Sequence, residues 1–304
     1  MSTPKDLSQI PADELKQFVD SFDDVFCDCD GVIFILMKVF DGVPDTISTL
    51  KSLGKSIRYV TNNSSMLRDD FAKKLQKQGI ECEKDDIINP CRAIIDHLKA
   101  ANFEKKVYMI SLPSLRQEFE ESGIKIANKY GAELCEVNAT SFLQCIQEYD
   151  NDVGAVVVCF DFNMTYLNLN RALRYITNPD VKFLATGYDQ RIIFSPNQFC
   201  MGPAFFHDLL QSASGRTPIW LGKPRDDFVE YIKNQPKCNP ERTLFIGDSL
   251  EQDMGFAHKL GFTKLLVLTG NTTLEDLKNC DKEMLPDYYI SSMAELGKLL
   301  KNNF

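Results

Sequence analysis

Residues 25–31 read Val-Phe-Cys-Asp-Cys-Asp-Gly, so that an apolar run ends in two carboxylates, Asp28 and Asp30, one residue apart. Such a run is typical of a short buried strand. In an open parallel α/β sheet, ligands bind just beyond the carboxyl ends of the strands. Side chains two positions apart point to the same side of an extended chain, so both carboxylates can converge on one point. The pattern favours a divalent-metal site, or a nucleophile beside a general acid. The alternatives are a solvated turn or a bare metal clip.

Three further apolar runs end in side chains that suit phosphate chemistry. Residues 57–60 are followed by a Thr-Asn-Asn-Ser-Ser cluster, whose hydroxyls and amides can bind oxyanions. A second run ends before Lys223, and a third ends before Asp248. Taken singly, each has an ordinary explanation as a turn, a surface charge or a helix N-cap. Together, four strand-like runs that carry such residues at the same end favour one shared phosphate site.

This ordered set resembles the four motifs of the haloacid dehalogenase (HAD) superfamily of phosphohydrolases. The D-x-D-G motif matches Asp28–Gly31, and a strand closed by Ser or Thr matches Thr61. A Lys before a Pro matches Lys223, and G-D-x-x-x-x-D matches Gly247–Asp253. The chain is similar in particular to the capped subgroup of phosphoglycolate phosphatase, pyridoxal phosphate phosphatase (chronophin) and the 4-nitrophenyl phosphatases. The resemblance covers nearly the whole chain beyond its N-terminal segment.

The resemblance implies a role for each acidic residue of these motifs. Asp28 is expected to take the phosphoryl group as an aspartyl phosphate, since a carboxylate is ionised near neutral pH. Asp30 is expected to protonate the leaving alkoxide and then to activate the water that hydrolyses the intermediate. Mg²⁺ would be held by Asp28, the main-chain carbonyl of Asp30, and Asp248. Asp253 would be a further ligand or a supporting acid.

The resemblance also implies which groups bind the phosphoryl oxygens. The Thr61 hydroxyl, the Asn62 main-chain amide and Lys223 would neutralise their charge. Asn63 would orient the nucleophile loop or the substrate.

The turn 186–191 is the candidate for reading the leaving group, because the resembled subgroup directs this segment at the active site. Pyridoxal phosphatases carry a histidine where this chain has Ile192. Arg191 is closer to the phosphoglycolate type and could hold a small carboxylate. The alternative is an arginine on a solvated loop. We therefore expect a small anionic phosphomonoester as substrate in preference to pyridoxal phosphate.

Length and element order predict two domains. A chain of 304 residues exceeds what one core usually fills. Alternating strands and helices between the second and third motifs indicate an inserted α/β domain. We expect a Rossmann-like parallel-sheet HAD core in two parts, residues 1–102 and 215–304, with an inserted C2-type α/β cap at residues 103–214. A cap would exclude bulk water and read the leaving group, and the alternative is a purely structural insertion.

Charge and cysteine usage limit the partners. The net charge of −9 disfavours nucleic acid and anionic membranes. Apolar stretches of membrane-spanning length and a signal peptide's apolar core are both absent from the sequence. The ten cysteines show no disulfide or zinc spacing, which is typical of reduced thiols. We expect a cytoplasmic enzyme, and the resemblance implies a homodimer formed through the cap.

The segment after the first motif departs from the subgroup pattern. Leu36 stands where glycine is usual, and Asp41 stands where proline is usual. Because this segment shapes solvent access to the site, the departure bears on turnover. The leading hypothesis is a Mg²⁺-dependent phosphomonoester hydrolase. The alternatives are a phosphotransferase of the same fold and a catalytically weakened phosphatase-fold binding protein.

Overall fold

The computed structural model describes residues 3–36, 38–132, 134–195, 198–236 and 238–304. Its strands are β1 (Lys5–Asp6), β2 (Asp24–Cys27), β3 (Phe34–Ile35), β4 (Lys38–Val39), β5 (Ser56–Val60), β6 (Ile87–Ile88), β7 (Lys106–Ile110), β8 (Val153–Val158), β9 (Lys182–Ala185), β10 (Arg191–Ser195), β11 (Gln198–Met201), β12 (Ile219–Trp220), β13 (Thr243–Gly247), β14 (Thr263–Val267) and β15 (Tyr288–Ile290). Its α-helices are α1 (Ala12–Asp20), α2 (Val43–Ser52), α3 (Arg68–Gln76), α4 (Pro90–Ala100), α5 (Pro113–Glu121), α6 (Ala139–Gln147), α7 (Tyr166–Ile176), α8 (Ala204–Ser214), α9 (Asp226–Lys233), α10 (Phe256–Leu260) and α11 (Met293–Asn303). Among the residues described, no helix is both long and apolar enough to cross a bilayer.

The chain packs as two units. The first unit comprises Met1–Thr61, Arg68–Ile88 and Phe228–Phe304, and the second comprises Asn62–Leu67 and Asn89–Asp227. The predicted division at residues 102 and 214 stays a prediction. As packed, the second unit extends beyond that range on both sides.

The first unit is built on a seven-stranded sheet in the order β1-β15-β14-β13-β2-β5-β6. All its pairs are parallel. Strands of a parallel sheet are covered on both faces, and β2 and β13 at its centre are accordingly buried along their whole length. The predicted α/β architecture with a parallel sheet is confirmed.

The sheet order places a topological switch point between β2 and β13. From β2 the chain continues outward through β5 and β6, and it returns to the opposite side of β2 at β13. Ligands bind in the crevice that opens at such a point. In the register of the two strands Cys27 pairs with Ile246. Asp28 directly follows β2 and Asp248 directly follows β13, so both leave the sheet at the same edge.

The second unit has its own parallel sheet in the order β12-β9-β8-β7. Helix α7 begins with a capping box between Thr165 and Asn168, and its apolar face packs on this sheet. Strands β10 and β11 form an antiparallel hairpin. Strand β12, which precedes Lys223, pairs with β9 of this second sheet, although the sequence predicts that residues from 215 onward belong to the core.

Candidate active site

Three buried carboxylates meet at the carboxyl edge of the first unit's sheet. One oxygen each of Asp28, Asp248 and Asp253 lies within 4.8 Å of the others. Their exposed fractions are 7%, 1% and 1%. Like charges held this close and this far from water repel one another and lose hydration, which a bound cation would offset. Carboxylate oxygens are the ligands that Mg²⁺ prefers, and the set therefore fits that ion.

Backbone pairing fixes the position of Asp28. Its main-chain N–H donates to the Ile246 carbonyl at 2.9 Å, which continues the pairing of β2 with β13 beyond the last ladder residue. The side chain therefore leaves the sheet next to the start of the Asp248 loop.

A loop after β14 grips the Asp248 carboxylate. Its Oδ2 accepts hydrogen bonds from the Asn271 main-chain N–H at 2.6 Å and from the Asn271 side-chain amide at 2.9 Å. A Cβ atom would lie 2.6 Å from this oxygen at Gly31 and 1.9 Å at Gly270, so only glycine fits at both positions. Sequence reasoning missed Asn271. Its place just beyond another strand of the same sheet was the signal that could have found it.

Asp253 directs one oxygen at the backbone of the loop that carries Asp248. Its Oδ2 accepts hydrogen bonds from the main-chain N–H groups of Asp248 at 3.1 Å and Ser249 at 3.0 Å. These donors stand at the start of a π-helical segment, Leu250–Gly255, where main-chain N–H groups lack helical partners. The arrangement favours the supporting role among the two that the sequence left open for Asp253.

Asp30 is exposed and stands at the entrance to the β3–β4 hairpin. Its backbone forms an isolated bridge with Phe34, and the Gly31 N–H donates to the Phe34 carbonyl at 2.8 Å. An exposed carboxyl group can exchange protons with water, as a general acid and base must.

The β3–β4 hairpin contains the first departure from the subgroup pattern. Leu36 has a φ of +48° and is 63% exposed. Glycine adopts this left-handed conformation freely, whereas an L-residue with a Cβ pays about 1–2 kcal/mol. The turn therefore keeps a backbone geometry that suits glycine while carrying leucine.

Thr61 closes β5 at the same edge of the sheet. Its side chain is buried, and its main-chain N–H donates to the Ile88 carbonyl at 3.1 Å. Strand β5 is the neighbour of β2, with Tyr59 opposite Cys27. Thr61 thus follows its strand at the edge where Asp28 follows β2.

In the second unit, Asn62 and Lys223 are joined by two hydrogen bonds. The Asn62 side-chain amide donates to the Lys223 carbonyl at 3.1 Å, and the Lys223 N–H donates to Asn62 Oδ1 at 2.8 Å. Lys223 is buried, with 2% of its surface exposed. The structure thus brings together two candidate residues that are 161 positions apart in the chain.

Asn63 shapes its own turn. Its Oδ1 accepts hydrogen bonds from the Ser65 main-chain N–H at 3.0 Å and from the Ser65 hydroxyl at 2.7 Å. These bonds match the turn-forming explanation of the asparagine pair.

The turn after β9 meets the same asparagine side chain. A Cβ atom at Gly187 would lie 2.5 Å from Asn62 Cγ, and Asp189 Oδ1 is 3.5 Å from Asn62 Nδ2. Arg191 is exposed at the start of β10, and its guanidinium lies 4.6 Å from the centroid of the Phe199 ring. Such stacking orients the guanidinium and leaves its charge open to an anion.

Two protein-family models match the chain. A haloacid dehalogenase-like hydrolase model matches residues 25–125, and a HAD-like hydrolase model matches residues 220–296. The first range contains the Asp28 and Thr61 strand ends, and the second contains Lys223 and the Asp248 loop.

Curated relatives of similar length are phosphatases. The 4-nitrophenylphosphatase of Schizosaccharomyces pombe is 32% identical over 94% of this chain and 96% of its own. Phosphoglycolate phosphatase 1A of Arabidopsis thaliana, a chloroplastic protein, is 30% identical over 96% of this chain and 81% of its own. The glycerol-3-phosphate phosphatase of Mus musculus is 28% identical over 95% and 94%. These proteins share an activity class and differ in the substrate that each is named for.

A solved structure agrees in fold. The 4-nitrophenylphosphatase of Thermotoga maritima has a TM-score of 0.76 with this chain and 24% identity, over 92% of this chain and 98% of its own. The likeness covers both units, and it confirms the predicted fold class of a parallel-sheet core with an inserted α/β region.

Proposed function

Because the chain belongs to the haloacid dehalogenase-like hydrolases and is a phosphatase, we propose that it hydrolyses a small phosphomonoester with Mg²⁺. The reaction would proceed through an aspartyl phosphate on Asp28. The observation that carries the proposal is the cluster of Asp28, Asp248 and Asp253, buried at the switch point of the sheet.

Asp28 and Asp30 would divide the chemistry between them. A carboxylate oxygen of Asp28 attacks phosphorus, the bond from phosphorus to the alkoxide oxygen breaks, and Asp30 gives its proton to the departing alkoxide. Asp30 then takes a proton from a water molecule, whose oxygen attacks the phosphorus of the aspartyl phosphate. Inorganic phosphate leaves, and both side chains return to their starting states. The burial of Asp28 and the exposure of Asp30 fit a nucleophile and a group that exchanges protons with solvent.

The ligands proposed for Mg²⁺ are Asp28, Asp248 and the main-chain carbonyl of Asp30. When bound, the ion would neutralise charge on the phosphoryl oxygens and on the carboxylates themselves. Asp253 would hold the loop that carries Asp248, since its Oδ2 already accepts two main-chain hydrogen bonds.

The phosphoryl oxygens would be bound by the Thr61 hydroxyl, the Asn62 main-chain amide and Lys223. A buried ammonium group stabilises an anion more strongly than an exposed one, because water screens it less. Asn62 follows Thr61 directly in the chain, and its side chain holds the Lys223 backbone. Asn63 would orient this segment through its turn.

For the substrate, we propose a small ester with a second anionic group, of the phosphoglycolate type. The support is Arg191, whose guanidinium is exposed and oriented by the Phe199 ring. The second unit would act as the cap that carries this arginine. Pairing of two copies through the cap stays a prediction.

Release of inorganic phosphate tests the proposal. With Mg²⁺ the protein should hydrolyse 4-nitrophenyl phosphate and a panel of small phosphomonoesters, and EDTA should stop the reaction. Asp28→Asn should lose at least about 10³-fold in kcat, because an amide cannot serve as the nucleophile. Asp152→Asn, an exposed carboxylate of the second unit, is the matched control and should keep full activity. An active Asp28→Asn protein would refute the assignment, and transfer to an added alcohol without phosphate release would favour a phosphotransferase.

A further inference from the structure

We propose that the Asn62 side chain is a positioning residue for Lys223, and that it joins this lysine to the turn 186–191. The inference rests on the proposed function, in which Lys223 binds the phosphoryl group. All the residues that carry it belong to the second unit.

Asn62 holds the backbone of Lys223 on both sides of its Cα atom. Its amide accepts from the Lys223 N–H at 2.8 Å and donates to the Lys223 carbonyl at 3.1 Å. The N–H belongs to the peptide plane before the Cα atom of Lys223, and the carbonyl belongs to the plane after it. Two hydrogen bonds to one residue therefore fix both of its backbone dihedrals. The direction in which a side chain leaves the backbone follows from those dihedrals. Asn62 therefore sets the direction in which the Lys223 side chain extends, and so helps to place its ammonium group.

The turn 186–191 packs against the side-chain amide of Asn62. Gly187 has no room for a Cβ atom, which would lie 2.5 Å from Asn62 Cγ. Gly222, next to Lys223, has none either, since its Cβ would lie 2.4 Å from the main-chain N and Cα of Gly187. Asp189 Oδ1 is 3.5 Å from the Asn62 amide nitrogen. Three segments of chain thus meet around one amide, and glycine at both contacts allows them to approach this closely.

We call a side-chain amide that bonds both the N–H and the carbonyl of one residue a clasp. The same unit contains a second clasp, which involves none of these residues. Asn128 Oδ1 accepts from the Met109 N–H at 2.9 Å, and its Nδ2 donates to the Met109 carbonyl at 3.0 Å. Asn128→Ala therefore removes the same two kinds of hydrogen bond as Asn62→Ala. A difference in activity between the two variants isolates the effect on Lys223 from the loss of a clasp as such.

The experiment measures kcat/KM on 4-nitrophenyl phosphate with Mg²⁺. Asn62→Ala should lose about 10- to 100-fold, as expected when a charged group that stabilises the transition state is misplaced. Asn128→Ala should keep kcat/KM within about 2-fold of wild type, while its melting temperature falls about as much as that of Asn62→Ala. If both variants lose activity equally, the role of Asn62 is structural and the proposal is overturned.

A double-mutant cycle tests whether Asn62 acts through the lysine. If it does, adding Asn62→Ala to Lys223→Ala should cost no more than about 3-fold beyond Lys223→Ala alone. A loss of kcat/KM in the double variant equal to the product of the two single losses would contradict the proposal. Gly187→Ala serves as a second variant, because its Cβ should displace the Asn62 amide and reproduce the Asn62→Ala loss. Unchanged activity in Gly187→Ala would likewise count against it.

Hydrogen exchange separates this inference from the proposed function. The Lys223 amide donates to Asn62, so its exchange should accelerate at least about 10-fold in Asn62→Ala and stay unchanged in Asn128→Ala. A wild-type protein that releases no phosphate from any ester would refute the proposed function. An unchanged Lys223 exchange rate in Asn62→Ala would overturn the inference alone.

Discussion

Replacing Asp28 by asparagine should make the metal-free protein more stable, even though the change abolishes turnover. The ligand oxygens of Asp28, Asp248 and Asp253 lie within 4.8 Å of one another, and all three residues are buried. Two unit charges 4.8 Å apart repel by about 3.5 kcal/mol at an effective dielectric constant of about 20. Asp28→Asn removes two such pairs, which at this separation amounts to about 7 kcal/mol before the structure relaxes.

Relaxation of the loops reduces this figure, so we expect a gain of about 1–3 kcal/mol. For a domain of the size of the first unit, 1 kcal/mol corresponds to about 2–4 °C in Tm. Mg²⁺ should raise the stability of the wild type more than that of Asp28→Asn, so the difference between the two should shrink or change sign. A ligand at one hundred times its Kd stabilises the wild type by about 2.7 kcal/mol, whereas the variant lacks one of the carboxylates that would hold it.

The assay is thermal unfolding in EDTA and across a Mg²⁺ titration, for wild type, Asp28→Asn and the exposed control Asp152→Asn. The control should follow the wild type in both conditions, because its carboxylate is about half exposed. Repulsion within the cluster is refuted if Asp28→Asn melts no higher than wild type in EDTA, or if it gains as much Tm from Mg²⁺ as the wild type does.

Three further outcomes are expected. Leu36→Gly should raise the free energy of unfolding by about 1 kcal/mol, because it relieves a φ of +48°. Leu36→Ala keeps the strain and should not raise it. Equal chemical-denaturation midpoints for Leu36→Gly and Leu36→Ala would contradict this. Arg191→Ala should raise KM for phosphoglycolate about 10- to 100-fold and leave KM for 4-nitrophenyl phosphate nearly unchanged, and an equal rise for both esters would show that the arginine does not read the carboxylate. Burial lowers the pKa of His207 to about 4 from its ordinary value of 6.5. The unfolded chain therefore takes up the proton first as pH falls, and stability should be lost between pH 6.5 and 4 by about 3 kcal/mol; His207→Gln should flatten Tm against pH over that window.

The carboxyl ends of the strands could be predicted because the signal there is local. An apolar run followed at once by an acid, an amide cluster or a lysine defines a strand end without knowledge of its neighbours. Parallel pairing then places Asp28 and Asp248 at the same edge of one sheet. The resemblance to the HAD superfamily accounted for the order of the motifs along the chain and predicted the parallel-sheet fold that the structure has.

The contacts that hold the candidate residues could not be predicted, because they depend on tertiary packing. The Asn62 clasp joins positions 161 apart, and nothing in either local sequence marks it. The grip of Asn271 on Asp248 depends on the spacing of two loops. Strand β12 pairs with β9, in the sheet of the second unit. A strand of two residues carries too little sequence pattern to predict which of the two sheets it joins.

Chemical trapping of the intermediate tests the aspartyl phosphate most directly. The protein is quenched in acid during turnover of 4-nitrophenyl phosphate with Mg²⁺, reduced with borohydride, and digested for mass spectrometry. Borohydride converts an aspartyl phosphate into homoserine, so we expect homoserine at position 28, dependent on substrate and absent from Asp28→Asn. Homoserine at any other aspartate, or none at all while phosphate is being released, would contradict it.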